Sequence, residues 1–558
     1  MLRNMDEYIS RDVFSLNVVA ESFSRLLSFA GGVLSSMVLY RSISWSWSVE
    51  DYATIKVLVS AGQVLLPIAL LGFSGALTRY VAAHSNDRVS LGRTIGNSIL
   101  VVTIAFVGTA LFSTFFGLDQ VLVLYVLKYP LEVEALKLYW FFVLITLLPT
   151  AYLSLAKAAF TGIQQMKRGL VTETVYNSVR IVILLLLFSQ RLVAIISILW
   201  LNLGLAVLAS LLAFGILSRE MKRNAVPWLF RPSMRIIRGL AGLSAVFLVG
   251  TLVQANFDYV TVLWMSYFGT PDDVASFSIA KAVSQTVLQV VTSPIGVLAP
   301  ILTMEYALGR RANLERKFME GYRMIIPTLA FAGAVQFAFA FPILRILFGW
   351  QVSRATYFLQ LLSFNSVFAI VPAIYSYIYL AADDRKGLLM ASVLQGLIQT
   401  VWIVLMAPVI GVAAIAMIWV PYIPFFFVQH EYSRRKHGIT MRLSTVAGGI
   451  AIGLVFLVLM SITAMFVNPI LATLPVPQIV QAAVLASIAV PFWYLFIAAG
   501  TLLKVLTRVD LENMVKVLKV IPPAWWVSKP IITWLIAVSE RGHHAAASHE
   551  ESETSRLQ

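Results

Sequence analysis

The sequence predicts an all-α polytopic membrane protein of about 14 transmembrane helices: two like-built six-helix lobes plus two extra helices. Three observations predict it. The 558-residue chain is 59% hydrophobic, with a mean hydropathy of +0.84 and only 12% charged residues. Apolar runs of about 20 residues recur along it, the length that crosses a bilayer as a helix. Lipid offers the backbone no hydrogen-bond partners, so such runs are helices or a closed barrel; their lack of strict alternation selects helices. The third observation is an internal repeat. SVEDYATIKVL at 48–58 returns 222 residues later as TPDDVASFSIA at 270–280. In each copy two acids (Glu50-Asp51, Asp272-Asp273) precede an apolar run with a lone lysine early in it, Lys56 or Lys281. LPTAYLSL at 148–155 and VPAIYSYI at 371–378 keep nearly the same offset. Each precedes a basic turn, Lys167-Arg168-Gly169 or Arg385-Lys386-Gly387.

In chain order the predicted spans are 14–40, 53–76, 94–116, 137–158, 170–189, 193–217, 238–264, 274–302, 322–345, 356–380, 388–408, 411–429, 443–467 and 478–503. The connecting loops alternate in charge. One set carries Arg88, Arg93, Lys167, Arg168, Arg219, Lys222, Arg223, Arg310, Arg311, Arg434, Arg435 and Lys436; the other is acidic or sparse. The positive-inside rule therefore places both termini in the cytoplasm, and the formal charge of +15 is a topology signal rather than a nucleic-acid footprint. The expected organisation is an N-terminal lobe at 1–217, a cytoplasmic linker at 218–238, a C-terminal lobe at 239–430 and appended spans at 431–504. An amphipathic interfacial segment at 505–541 and a polar, disordered tail at 542–558 follow. In that segment Leu511, Met514, Val515 and Leu518 share one helix face, and Trp525, Trp526 and Trp534 are interface anchors. The chain has no cysteine, which excludes disulfide and thiol chemistry.

Polar residues inside the spans carry the functional reading, because a charge at mid-bilayer costs roughly 2.5–3.5 kcal/mol and needs a reason. Span 1 presents Asn17, Glu21, Ser24, Arg25 and Ser28 as one stripe. Span 2 carries Lys56, Ser60 and Gln63; span 8 carries Lys281, Gln285 and Gln289; span 5 carries Glu173, Asn177 and Arg180. Span 7 has Thr251, Gln254 and Asp258, and span 11 has Gln395 and Gln399. Each has a plainer reading beside it. Glu21 and Arg25 can satisfy one another along the helix. Lys56, Lys281, Lys167, Arg168 and Glu173 can snorkel, and the two glutamines of span 11 can bond neighbouring helices. Stripes in both halves aimed inward would form a wet, net-cationic cavity of the kind alternating-access transporters use.

These residues resemble a known family. EDYATIKVLVSAGQVLLPIALLGFSGALTRYVA is similar to the second helix of polysaccharide-repeat-unit flippases. FDYVTVLWMSYFGTPDDVASFSIAKAVSQTV, with Pro294 and Pro300 beyond it, resembles their seventh and eighth helices. These flippases belong to the multidrug/oligosaccharidyl-lipid/polysaccharide (MOP) exporter superfamily. The resemblance covers about residues 10–430 and implies a V-shaped twelve-helix core around a central cavity. It implies movement of an undecaprenyl- or dolichol-linked oligosaccharide between leaflets of the cell membrane, with basic residues of helices one, two and eight lining the lumen. Arg25, Lys56 and Lys281 match those placements, with Gln285, Asn177 and Arg180 as further substrate contacts. Glu21 and Asp258 are the expected carboxylates for a coupling H⁺ or Na⁺; no cofactor, metal or catalytic residue is expected. The expected partners are the lipid-linked oligosaccharide, membrane lipids and glycan-assembly enzymes, not nucleic acid. The two extra spans are similar to those of lipid II flippases, where added helices shape a groove for the lipid tail. A multidrug exporter of the same fold favours an acidic lumen. A membrane glycosyltransferase or polymerase requires a larger extramembrane region than loops of about 20 residues provide.

Overall fold

The computed structural model describes residues 31–43, 47–83, 87–121, 133–163, 165–228, 230, 232–292, 302, 305–306, 308–349, 352–368, 370–473, 477–503, 506–507, 511–512 and 529–537. Among these every regular element is a helix. Nine helices among the described residues are long and apolar enough to cross a membrane, ten if the bent pair Arg311–Ala338 and Ala340–Phe348 is one span. They correspond to predicted spans 2–7, 9, 11, 13 and 14. Span 1 is described only from residue 31, as a helix over 31–41. Span 8 is the single helix Pro271–Thr292. Spans 10 and 12 are broken: span 10 at Phe364, after Ser353–Ser363, and span 12 between Ala413–Ala416 and Tyr422–His437. The polar face of span 8 and the breaks in 10 and 12 set them apart from a plain hydrophobic rod.

The repeated acids have a local cause. Ser48 is the N-cap of span 2 (Val49–Leu70). Its backbone N–H donates to Asp51 Oδ2 at 3.0 Å, and its Oγ accepts from the Asp51 N–H at 3.1 Å. Span 8 starts the same way. The Thr270 N–H donates to Asp273 Oδ2 at 2.9 Å and the Asp273 N–H donates to Thr270 Oγ1 at 3.3 Å. Both motifs are capping boxes, which satisfy two otherwise orphaned amides and set negative charge against the positive helix end. The sequence repeat is thus a repeated helix start.

Toward the acidic-loop end, buried side chains of both halves merge into one core, where Tyr52, Val57, Leu136 and Leu199 join Met265, Phe277, Leu344 and Phe358. Toward the basic-loop end the core divides. One part surrounds Phe73, Leu77, Leu155, Phe160 and Leu217; the other surrounds Phe318, Tyr322, Tyr375, Tyr379 and Tyr422. Two lobes joined at one end give the V-shaped frame. After Leu70 the chain breaks at Leu71 and Gly72, both at positive φ (48° and 71°), and resumes as Phe73–Ala83 against the first part of span 7, Met234–Ala255. A Cβ on Gly72 would lie 2.3 Å from the Ser244 carbonyl oxygen, so only glycine permits this approach.

Each lobe closes its basic-loop end with an equivalent polar staple. In the N-terminal lobe, Arg168 pairs with Glu220, which also accepts from Gln165 at 2.6 Å and Asn224 at 3.1 Å. In the C-terminal lobe, Asp384 accepts from Lys436 at 2.7 Å, the Gly387 N–H at 2.9 Å and Tyr432 at 3.0 Å, with His437 Nε2 3.0 Å away. Burial alone would raise the Asp384 pKa; the donors from Lys436, Gly387, His437 and Tyr432 outweigh it and hold the carboxyl at about 2. Arg168 therefore reaches a buried carboxylate instead of snorkelling.

Spans 13 (Leu443–Thr473) and 14 (Gln478–Leu502) attach to the C-terminal lobe through span 9. Phe331 of span 9 packs between Phe456, Trp493 and Phe496. Beyond span 14, Ile532 and Leu535 of the helical stretch 529–537 bury against Ile497, Leu506 and Leu511, while Trp534 stays exposed. Met514, Val515, Leu518, Trp525 and Trp526 of the expected amphipathic segment lie outside the described residues, as does the tail.

Candidate functional site

Spans 2 and 8 pack against one another where the two halves meet, and each carries its lysine toward the interior. The lysines are not in strict register. Lys56 stands eight residues after its cap residue and Lys281 eleven after its own, one helical turn deeper. Each lies over the ring four residues before it: Lys56 Nζ is 5.1 Å from the Tyr52 centroid and Lys281 Nζ 5.7 Å from that of Phe277. The aromatic face gives both ammonium groups a partner that costs no counter-charge. Neither lysine snorkels outward.

In the N-terminal half, Lys56 donates to Ser36 Oγ of span 1 at 3.3 Å. Arg180 of span 5 (Met166–Ser189) is near enough to repel it electrostatically. A Cβ on Gly31 would come within 3.0 Å of Asn177 Oδ1, so span 1 crosses span 5 directly over Asn177. Spans 1, 2 and 5 thus bring Lys56, Asn177 and Arg180 to one region. Among the described residues no carboxylate pairs with Lys56 or Arg180, and Arg180 Nε is buried without a hydrogen-bond partner. Glu173, on the same face, is taken by Lys157. Glu21 and Arg25 lie outside the described residues.

The C-terminal half is built around a distortion in span 7. Between Met234–Ala255 and Thr261–Phe268 the helix widens into a π-turn over Asn256–Val260, with Asp258 inside it. Such a turn shifts the ladder register and presents a carbonyl sideways. Lys281 takes that carbonyl: its Nζ donates to Asp258 O at 2.5 Å and to Thr261 Oγ1 at 2.7 Å. Gln285, one turn after Lys281, donates to Asp258 Oδ1 at 2.7 Å. Behind them Asn256 donates to Gln399 at 3.4 Å; Gln399 and Gln395 (the latter at 3.0 Å) donate to the hydroxyl of Tyr422, the first residue after the break in span 12. The span 11 glutamines do bond neighbouring helices. A cavity with room for about one water lies beside Lys281, lined also by Thr261, Ser284, Gln285 and Asn365.

Ser36, Thr261, Asn365 and Tyr422 were not singled out by the sequence. Thr261 continues the Asp258 stripe by three residues, a signal that was present. Asn365 and Tyr422 matter through breaks that tertiary packing creates.

The family model described as "Polysaccharide biosynthesis protein" matches residues 18–305. No curated protein sequence matches the chain. Among solved structures, the lipid II flippase MurJ in an inward closed conformation is similar at a TM-score of 0.62 and 12% identity, covering 86% of this chain and 98% of that one. A multidrug resistance MATE family transporter of the MOP superfamily, inward-facing, gives a TM-score of 0.61 and 12% identity over 75% and 98%. A MOP superfamily transporter from Pyrococcus furiosus, described as having a binding pocket of reverse polarity, gives 0.56 and 13% over 80% and 96%. The two lobes seen here are the architecture these structures share. The chain is a multi-pass membrane protein that belongs to the polysaccharide biosynthesis protein family and has the fold of the MOP superfamily.

Proposed function

We propose that the protein flips a polyprenyl- or dolichol-(di)phosphate-linked oligosaccharide across the cytoplasmic membrane by alternating access, with both termini in the cytoplasm. The observation that carries this reading is the pair Lys56 and Arg180, two neighbouring cations inside a bundle with no carboxylate on either among the described residues. Unbalanced positive charge away from water is costly and calls for an anion. A lipid phosphate supplies one and accepts hydrogen bonds from both side chains. Sugar hydroxyls each cost roughly 2–7 kcal/mol if left unbonded in hydrocarbon, so they require the polar path between the lobes while the prenyl tail stays in lipid. In this reading Lys56, Arg180 and Asn177, with Arg25 of span 1, hold the phosphate and the first sugars; Asp258 and Glu21 are the carboxylates for a coupling H⁺ or Na⁺. Membrane lipids surround the protein, and glycan-assembly enzymes supply and consume its substrate.

Thermal unfolding of the purified protein with graded ligands tests the substrate class, because a ligand that binds the folded state raises Tm in proportion to ln(1 + [L]/Kd). A polyprenyl-diphosphate-linked oligosaccharide should raise Tm, and lipophilic organic cations should not. Stabilisation by the cations alone would replace this reading with a multidrug exporter.

A further inference from the structure

The two lysines sit in opposite chemical settings. Lys56 is half-buried and faces another cation. Lys281 is only 6% exposed and is wrapped in oxygen. Its Nζ contacts the Asp258 carbonyl and Thr261 Oγ1, and the Asp258 carboxylate, which accepts from Gln285, attracts it electrostatically. Across the small cavity stands Asn365, 3% exposed, whose Oδ1 has no hydrogen-bond partner among the described residues. A main-chain carbonyl in a π-turn, a hydroxyl, a carboxylate and a side-chain amide are the hard oxygen ligands that hold alkali and alkaline-earth cations. Main-chain carbonyls released by a helix irregularity are a recurrent way to build such a site inside a membrane. Here the chain's own ammonium fills the place.

We propose that Lys281 is a tethered cation: its ammonium occupies a cation site built by Asp258, Thr261 and Asn365, so this lobe needs no Na⁺ there. The proposal rests on the flippase reading only in narrowing its coupling ion. It withdraws Lys281 and Gln285 from the set of substrate contacts and leaves Lys56 and Arg180 in it. The charge balance explains the arrangement. Asp258 and the ammonium compensate one another inside the bundle, where a lone carboxylate is strongly disfavoured and attracts any small cation that fits. Removing the lysine side chain takes away the cation that this carboxylate attracts and leaves a hole lined by the Asp258 carbonyl and Thr261 Oγ1, which would then admit Na⁺.

The test uses the full chain in detergent without any lipid-linked sugar, so its failure does not bear on the flippase reading. Thermal unfolding is followed in NaCl and in choline chloride at equal ionic strength. Wild-type protein should unfold at the same temperature in both. Lys281→Ala should unfold earlier in choline and recover with Na⁺ along a saturable curve, by about 3 °C or more. A Lys281→Ala protein that folds but responds alike to both salts would overturn the proposal. Should that variant not fold, Asp258→Asn in the wild-type background decides: the proposal expects a lower Tm that Na⁺ does not restore. A saturable Na⁺ shift in the wild type that Asp258→Asn removes would show a metal site with Lys281 in place, and the tethered-cation assignment would be wrong.

Discussion

Arg79 and Asp383 lie 304 positions apart in the chain and 3.1 Å apart in space. Arg79 belongs to the last turns of span 2 and Asp383 to the turn between spans 10 and 11, so the contact bridges the two lobes at their basic-loop end. Both side chains are about half exposed (52% and 56%), and Arg385 also approaches Asp383 at 3.8 Å. An exposed pair is worth about 0.2–1 kcal/mol, which biases an equilibrium by up to about fivefold and does not lock it. That suits a latch which must open in every cycle.

The latch predicts a population change. With spin labels at the exposed positions Arg223 and Arg435, Arg79→Gln should shift the inter-lobe distance distribution toward longer distances by up to about fivefold in population. The reversed pair Arg79→Asp with Asp383→Arg should restore it. An unchanged distribution in Arg79→Gln would show the contact to be incidental.

Gly72→Ala should be among the most disruptive single-methyl changes in the chain. Its φ of 71° strains any other residue, and the added Cβ would meet the Ser244 carbonyl oxygen at 2.3 Å and the Leu248 nitrogen at 2.5 Å. Both are backbone atoms and cannot rotate away, so the break in span 2 must shift off span 7. Tm should fall clearly, whereas Gly204→Ala, which meets nothing within 4 Å, should be silent.

The Asp384 staple predicts an acid-side loss of stability. Its carboxyl is held at about 2 in the folded protein against an ordinary value near 4. A depressed folded pKa contributes stability that is complete above the unfolded value and disappears as pH falls through the folded one. Asp384→Asn should therefore lower Tm at pH 7, and the gap to wild type should close between about pH 4 and pH 2. A gap independent of pH would mean the loss is steric.

Much of this was legible in the sequence, and the reasons are specific. Capping boxes are local, so SVED and TPDD reveal two equivalent helix starts without any structure. The basic turns after LPTAYLSL at 148–155 and VPAIYSYI at 371–378 mark the equivalent junctions that carry the staples. Hydropathy marked the spans for the same reason: lipid enforces it on each helix separately. The π-turn at Asn256–Val260 and the breaks at Phe364 and 417–421 were not legible, because they are set by packing between helices and not by local preference. Lys281 could be found as an inward lysine, but its acceptors could not, since one of them is a main-chain carbonyl inside that turn. Arg79 carried no signal of its own in the sequence, because its partner is 304 residues away.

The absence of cysteine permits a clean test of orientation. Single cysteines at Arg223 and at Asp272, labelled in sealed cells with a membrane-impermeant maleimide, should react only from the cytoplasm and only from outside, respectively. The reverse pattern would invert every loop assignment made from charge.

The most direct measurement is the initial rate at which proteoliposomes containing the protein move a fluorescent polyprenyl-diphosphate oligosaccharide between leaflets. The account predicts flipping above protein-free vesicles. It predicts a loss of about tenfold or more in Lys56→Ala and in Arg180→Ala, the worth of one charge-assisted contact, and partial activity in Lys56→Arg. Wild-type flipping that neither alanine variant slows would contradict the cationic site, and no flipping of any lipid-linked sugar by the wild type would contradict the function itself.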